Sequence, residues 1–340
     1  MIGFKQGFAK GLLGVALAFG SGSGLAQSTT LKIATLAPDG TAWMQTMRKA
    51  ADTVAERTQD RVKVRFYPGG VMGNDRTVLR KIRIGQLHGA AFTGGELGME
   101  VLEFNVYSVP FLFRDQDEVD AVRAEFDRRM EEAAARQGWM TMGVAEGGFA
   151  YLMSSAPVTG VDDLKNRKVW IPQGDRVAAK AFEVAGVPTI ALTIAEVYAG
   201  LQTQLVDTVI NTPQGAIALQ WHSRLSSVTD TPMSYVFGTI ALSERALRRV
   251  DAADRQILEA EFRKAMAAID AVSREDNAGA RAALQSQGMQ FLPPQPAELQ
   301  RWEAIAAQTV DELDGQKAYA EDFFRQVQSF LDDYRSAAAP

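Results

Sequence analysis

Seven large side chains stand where a chain of alternating strands and helices would gather a binding site. Trp43, Met72, Phe92, Phe149, Tyr151, Trp170 and Tyr235 all fall at or near the ends of predicted strands. Aromatic walls with a few polar groups make a pocket for an apolar small molecule, and ring faces can also hold a cation. The competing reading is ordinary core. Phe92 and Tyr235 read more readily as core, Trp43 and Phe149 as either. Glu146 is the acid of interest. It ends a predicted strand facing the presumed cleft, where it either binds a hydroxyl or an amine or serves as a hinge residue between lobes.

Other chemistry is scarce. The 340 residues include no cysteine, which excludes thiolate metal sites, disulfide scaffolds and cysteine nucleophiles. His88 and His222 are the two histidines, and neither has a second ligand at metal spacing. No G-x-S-x-G or other nucleophile motif occurs. The glycine runs Gly69-Gly70-Val71-Met72-Gly73 and Gly94-Gly95-Glu96-Leu97-Gly98 lack phosphate-loop spacing and read as turns. Glu131-Glu132 lies on an exposed helix as solvated charge. A net charge of −5 argues against nucleic acid as a partner. No cofactor is expected.

The elements that must position these residues begin after a leader. Lys5 and Lys10, the apolar run Gly11 to Phe19, and Gly24-Leu25-Ala26 form a secretory signal peptide over residues 1–26, cleaved after Ala26. The run is too short to cross a bilayer of about 30 Å. Strands over 31–37, 62–66 and 88–93 alternate with helices over 41–57 and 74–85. A charged helix over 116–138 and two adjacent strands, 141–146 and 149–154, follow. A second alternating unit runs from strand 168–172 to strand 206–211. An apolar strand at 235–242, one long helix over 251–286, a short strand near 289–292 and two helices over about 296–335 complete the chain. The fold class is α/β, with mostly parallel sheets flanked by helices in two lobes. Lobe I takes 27–147 plus about 236–275. Lobe II takes 148–235 plus about 276–340 with the crossing C-terminal helices. Ligands in such sheets bind beyond the carboxyl ends of strands.

At those strand exits the chain resembles the solute-binding proteins of tripartite ATP-independent periplasmic (TRAP) transporters, the DctP-like family. Phe66-Tyr67-Pro68-Gly69-Gly70 with Gly73 is similar to the family's F-x-P-x-G-x-x-G turn, and Ile84-Gly85-Gln86-Leu87 to its R-x-G-x-x-D/H segment. Val109-Pro110-Phe111-Leu112-Phe113 resembles LPFLF, and Asp163-Leu164-Lys165 with Val169 to Pro172 resembles DLKGLKIRVP. Glu196 to Thr203, then Val206-Asp207, Asn211 and Pro213, resemble EVYxALQxGxVDGxxxP. The order and spacing of these motifs span essentially the whole mature chain. The resemblance implies a two-lobe periplasmic receptor with a long interdomain helix and no enzymatic activity. It would deliver a captured small molecule to a membrane permease of DctQ-like and DctM-like subunits, driven by an ion gradient. Some receptors of this kind also work with an accessory repeat protein, which nothing in the sequence shows.

The resemblance further implies a carboxylate clamp that this chain lacks. Trp170 stands where the family's main arginine stands, Ala150 falls at the second arginine position, and Asn211 is kept. Guanidinium holds a carboxylate through two parallel hydrogen bonds. Its loss predicts an uncharged or largely apolar ligand, stacked on Trp170 and Phe149, with Asn211 and Gln173 as polar contacts. The alternative is an organic acid held by a relocated cation such as Arg176, which sits beside the helix-capping Asp175. A periplasmic hydrolase or isomerase on the same fold is the third reading. On this view Trp170→Arg should raise affinity for small carboxylates.

Overall fold

The computed structural model describes residues 28–338, so the leader expected over 1–26 lies outside the described residues. The first half of the chain is a β-α alternation. It comprises β1 (Thr29–Ala34), α1 (Ala42–Arg57), β2 (Val62–Tyr67), α2 (Asp75–Arg83), β3 (Gly89–Thr93) and the single turn α3 (Gly94–Leu97). Capping sets the starts. Thr41 Oγ1 accepts from the amide of Met44 at 3.3 Å, and Asn74 Oδ1 accepts from the amide of Thr77 at 3.0 Å. On α1, Met44, Met47, Ala51 and Val54 fall on one face and are buried against β1 and β2.

After α4 (Gln116–Arg136) come β4 (Trp139–Thr141) and β5 (Ala145–Ser154). The sequence suggests a break at Gly147-Gly148, but β5 runs through it as one ten-residue strand. Gly148 takes φ +98°, a Cβ there would meet Asn277 at 2.8 Å, and the pairing register shifts opposite, between Val236 and Phe237. The glycine thus supports a bulge that bends the strand instead of ending it.

The second unit contains α5 (Val161–Leu164), β6 (Val169–Pro172), α6 (Arg176–Val184), β7 (Thr189–Leu192), α7 (Ile194–Gln202), β8 (Thr208–Asn211) and α8 (Pro213–Ala218). The short β9 (Ser227–Thr229), unforeseen in the sequence, precedes β10 (Ser234–Ser243) and α9 (Glu244–Leu247). The chain then forms α10 (Ala252–Ser286), β11 (Gln290–Leu292), α11 (Pro296–Leu313) and α12 (Glu321–Ala338).

Strand order along the main sheet is β2-β1-β3-β10-β5-β8-β6-β7. Within each lobe the helix-connected strands pair parallel: β1 with β2 and β3, and β6 with β7 and β8. The two long strands β5 and β10 pair antiparallel with each other and with their neighbours β8 and β3. They are the continuous backbone between the lobes. The 35 residues of α10 span about 52 Å at 1.5 Å per residue. Its first turn is tied to one lobe by Arg61–Asp254 (2.8 Å), its last turns to the other by Arg281–Asp230 (2.6 Å). No helix among the described residues is long and apolar enough to cross a membrane.

Candidate ligand-binding cleft

A cavity of about 710 Å³ lies between the lobes, a volume in the range of small-molecule sites. One lobe contributes Trp43 on α1, Phe92 on β3, Asp75 at the start of α2 and Glu96 on α3. The other contributes Ala150 and Leu152 on β5, Trp170 and Ile171 on β6, Gln173, and Asn211 at the end of β8. Tyr235, Phe237 and part of α10 complete the wall. The lobes meet at the mouth: a Cβ on Gly174 would lie 3.6 Å from Arg76 Nη2, and one on Gly70 would lie 3.8 Å from Ala195 Cβ.

Most of the residues singled out in the sequence meet here, but four do not line the cavity: Met72, Phe149, Tyr151 and Arg176. Strand alternation is the reason for two of them. Successive side chains point to opposite faces, so Ala150 and Leu152 face the cavity while Phe149 and Tyr151 turn away. Phe149 packs edge-on against Tyr235 at 5.5 Å, and Tyr151 lies near the guanidinium of Arg281 on α10. Met72 packs against the core, and its carbonyl accepts from Lys81 Nζ at 2.7 Å. Arg176 points outward, donating to the carbonyl of Lys317 at 3.2 Å.

Trp170 borders the cavity with little of its surface open to it. The residue is 4% exposed, and its ring meets Trp221 edge-to-face at 5.1 Å. Its indole N–H donates to the carbonyl of Leu192 at 2.9 Å, so its polar group is already satisfied. Phe92 is a core ring packed on Trp139 that also closes one side of the cavity. Asn211 is half-buried. Its Oδ1 accepts from the amide of Thr212 at 2.8 Å, and among the described residues its Nδ2 has no protein acceptor.

Glu146 resolves as a structural acid. Its carboxylate accepts from Tyr235 Oη (2.9 Å), Arg274 Nε (2.9 Å) and Gln116 Nε2 (3.1 Å), with Arg123 Nη1 at 3.6 Å. Its own amide donates to Asp270 and its carbonyl accepts from Ser273, both on α10. A carboxylate so engaged has little left for a ligand, and the network locks β5 and β10 to α4 and α10. Burial pushes the Tyr235 hydroxyl well above its usual range, with the adjacent Glu146 charge adding to it. The histidines are structural as well: His88 Nδ1 accepts from the amide of Lys32 at 2.9 Å, and His222 Nδ1 lies 3.2 Å from the carbonyl of Ala216.

Several lining residues escaped the sequence reading. Phe111 sits inside the Val109-Pro110-Phe111-Leu112-Phe113 motif, takes φ +56° and donates its amide to Met233. Asp75 follows the glycine turn by two residues, and Glu96 hides in a segment read as a turn. The motifs marked these loops, but nothing local told which side chain pointed inward.

A cavity enclosed by two α/β lobes on a shared pair of crossing strands is the architecture of a receptor for a small solute. The chain belongs to the DctP family, bacterial extracellular solute-binding protein family 7, whose pattern matches residues 33–316. It is 22% identical over 239 residues to the sialic acid-binding periplasmic protein SiaP of Vibrio cholerae, covering 70% of this chain and 74% of that one. It is also 22% identical over 266 residues to the C4-dicarboxylate-binding periplasmic protein DctP of Rhodobacter capsulatus, covering 77% and 80%. Among solved structures, a TRAP solute-binding protein of Shewanella oneidensis with bound succinate superposes with a TM-score of 0.81 at 18% identity, over 89% of this chain and 99% of that one. The sugar acid-binding DctPAm of Advenella mimigardefordensis with galactonate gives 0.81 at 16%, over 90% and 99%. These likenesses establish the fold.

Proposed function

We propose that this receptor works in the periplasm after removal of its leader, capturing a small, uncharged or largely apolar organic molecule. It hands the molecule to a TRAP permease of DctQ-like and DctM-like subunits and does not transform it. The hinge is placed in β5 and β10, so that residues 27–147 with about 236–275 move against 148–235 with about 276–340. One observation carries the ligand class: among the described residues, the cavity lining includes no lysine, arginine or histidine. Ala150 presents a methyl group where the family resemblance places an arginine. A carboxylate enclosed without a cationic partner loses roughly 3–5 kcal/mol, about 10² to 10³·⁵ in affinity. The experiment is denaturing mass spectrometry of the protein purified from its own host. Recovery of an apolar molecule in stoichiometric amount supports the reading, and recovery of a small organic acid overturns it.

A second reading has its own observation. A neighbouring pocket of about 450 Å³ is lined by Arg76, Arg83, Arg176 and Lys317, and it shares Gly95, Met99 and Asp175 with the cavity wall. An acid whose carboxylate reached this pocket would find cations there, and the named relatives and solved structures bind sialic acid, C4-dicarboxylate, galactonate and succinate. Arg83 is already paired with Glu100, and Arg176 with the Lys317 carbonyl. Loss of organic-acid binding in Arg176→Ala would favour this second reading.

A further inference from the structure

The cavity has an acidic corner that the apolar reading does not use. Asp75, the first residue of α2, and Glu96, the third of α3, both line the wall, close enough for the charge on one to act on the other. Glu96 Oε2 accepts from the amide of Thr93 at 2.6 Å. Glu96 Oε1 is buried and has no hydrogen-bond partner among the described residues, in a residue only 7% exposed. A buried acceptor left without a donor is costly and marks a place where a donor is missing. Asp175, which caps α6 across the mouth, adds a third carboxyl to the cavity lining, and Arg76 beside Asp75 lies close to Gly174.

We propose that Asp75 and Glu96 form a donor-selecting subsite, which holds a protonated amine on an otherwise apolar ligand and turns carboxylates away. The inference rests on the apolar, cation-free reading of the cavity and names the one polar group its ligand carries. Two neighbouring carboxyl groups cannot both ionise cheaply, so the empty site retains a proton. Burial raises the Glu96 carboxyl well above its ordinary range, and the neighbouring Asp75 raises it further. An entering ammonium supplies the missing donors and a compensating charge. The retained proton then leaves to solvent: one R–NH₃⁺ binds, up to one H⁺ is released, and both carboxylates end ionised around the ammonium. A carboxylate ligand would instead face three acids.

The test titrates the full mature protein with hexylamine, hexan-1-ol and hexanoate, which share one apolar body. The expected order is amine first and hexanoate last. The amine should exceed the alcohol about tenfold, the value of a charge-assisted hydrogen bond. Calorimetry in buffers of different ionisation enthalpy should show proton release for the amine alone. Glu96→Gln, and independently Asp75→Asn, should remove both the amine's advantage and the proton release, with a cooperative thermal melt showing that the variant folds. Equal binding of amine and alcohol would overturn the subsite and leave the apolar receptor standing. Tightest binding by hexanoate, or no binding by any of the three, would overturn both.

Discussion

The hydroxyl of Tyr235 on β10 donates to Glu146 Oε2 on β5 at 2.9 Å, joining the two strands that run between the lobes at the back of the cavity. Both residues are almost fully buried. Tyr235→Phe leaves Glu146 with its arginine and glutamine donors but removes this link. We expect a stability loss of about 1–2 kcal/mol by urea denaturation. An unchanged midpoint would show that the bond contributes nothing where the two strands meet.

Trp170 is expected to act on stability before affinity. Trp170→Phe removes the indole N–H bond to Leu192 and part of the contact with Trp221. The Leu192 carbonyl stays paired with the amide of Gln173, so the cost should be about 1–3 kcal/mol. Trp170→Arg, which the sequence alone recommends as a gain of carboxylate binding, would place a guanidinium among Val197, Leu201 and Trp221. The expected outcome is a loss of roughly 3–5 kcal/mol without gain in acid affinity. A stable Trp170→Arg protein that binds succinate would refute this placement of the ring.

Asn211 keeps one amide nitrogen free among the described residues. Asn211→Ala should weaken binding of the co-purified ligand by about tenfold, the worth of one hydrogen bond in a dry site. The same loss is expected from Gly215→Ala, because a Cβ there would lie 2.4 Å from Asn211 Oδ1 and displace the side chain. If ligand exchange monitored by mass spectrometry is unaltered in both variants, Asn211 does not touch the ligand.

Asp127 sets a pH dependence of stability. Burial raises its carboxyl to about 6, even though Arg123 Nε and Tyr107 Oη contact it at 3.0 Å each. Because the folded value lies above the ordinary 3.8, the folded state binds the extra proton between these limits. The contribution of Asp127 to stability therefore rises as pH falls from above 6 toward 4. The difference in melting temperature between wild type and Asp127→Asn should shift in favour of wild type across that window. A difference that is flat with pH would contradict the raised value.

Much of the fold is legible in the sequence because its signals are local. The apolar spacing on α1, the caps Thr41 and Asn74, and the long breaker-free run of α10 each act within a few residues. Where local signals misled, a distant partner intervened. Gly147-Gly148 looks like a strand break, yet β10 on one side and Asn277 of α10 on the other carry β5 straight through it. The short β9 has little periodicity of its own and exists because β5 and β11 pair with it.

The site divides along the same line. By itself the sequence determined the family and the two-lobe α/β plan, since residue types and motif spacing are written in the chain. Only the tertiary structure decided which of Phe149, Ala150 and Tyr151 faces the cavity, that Trp170 spends its N–H on Leu192, and that Glu146 is consumed by Arg274 and Tyr235. It alone brought Asp75 and Glu96 to one cavity from separate helices. The physical reason is that a strand's pattern of alternation has two possible phases. Which phase faces the ligand, and which polar group already has a partner, depend on elements far away in the chain.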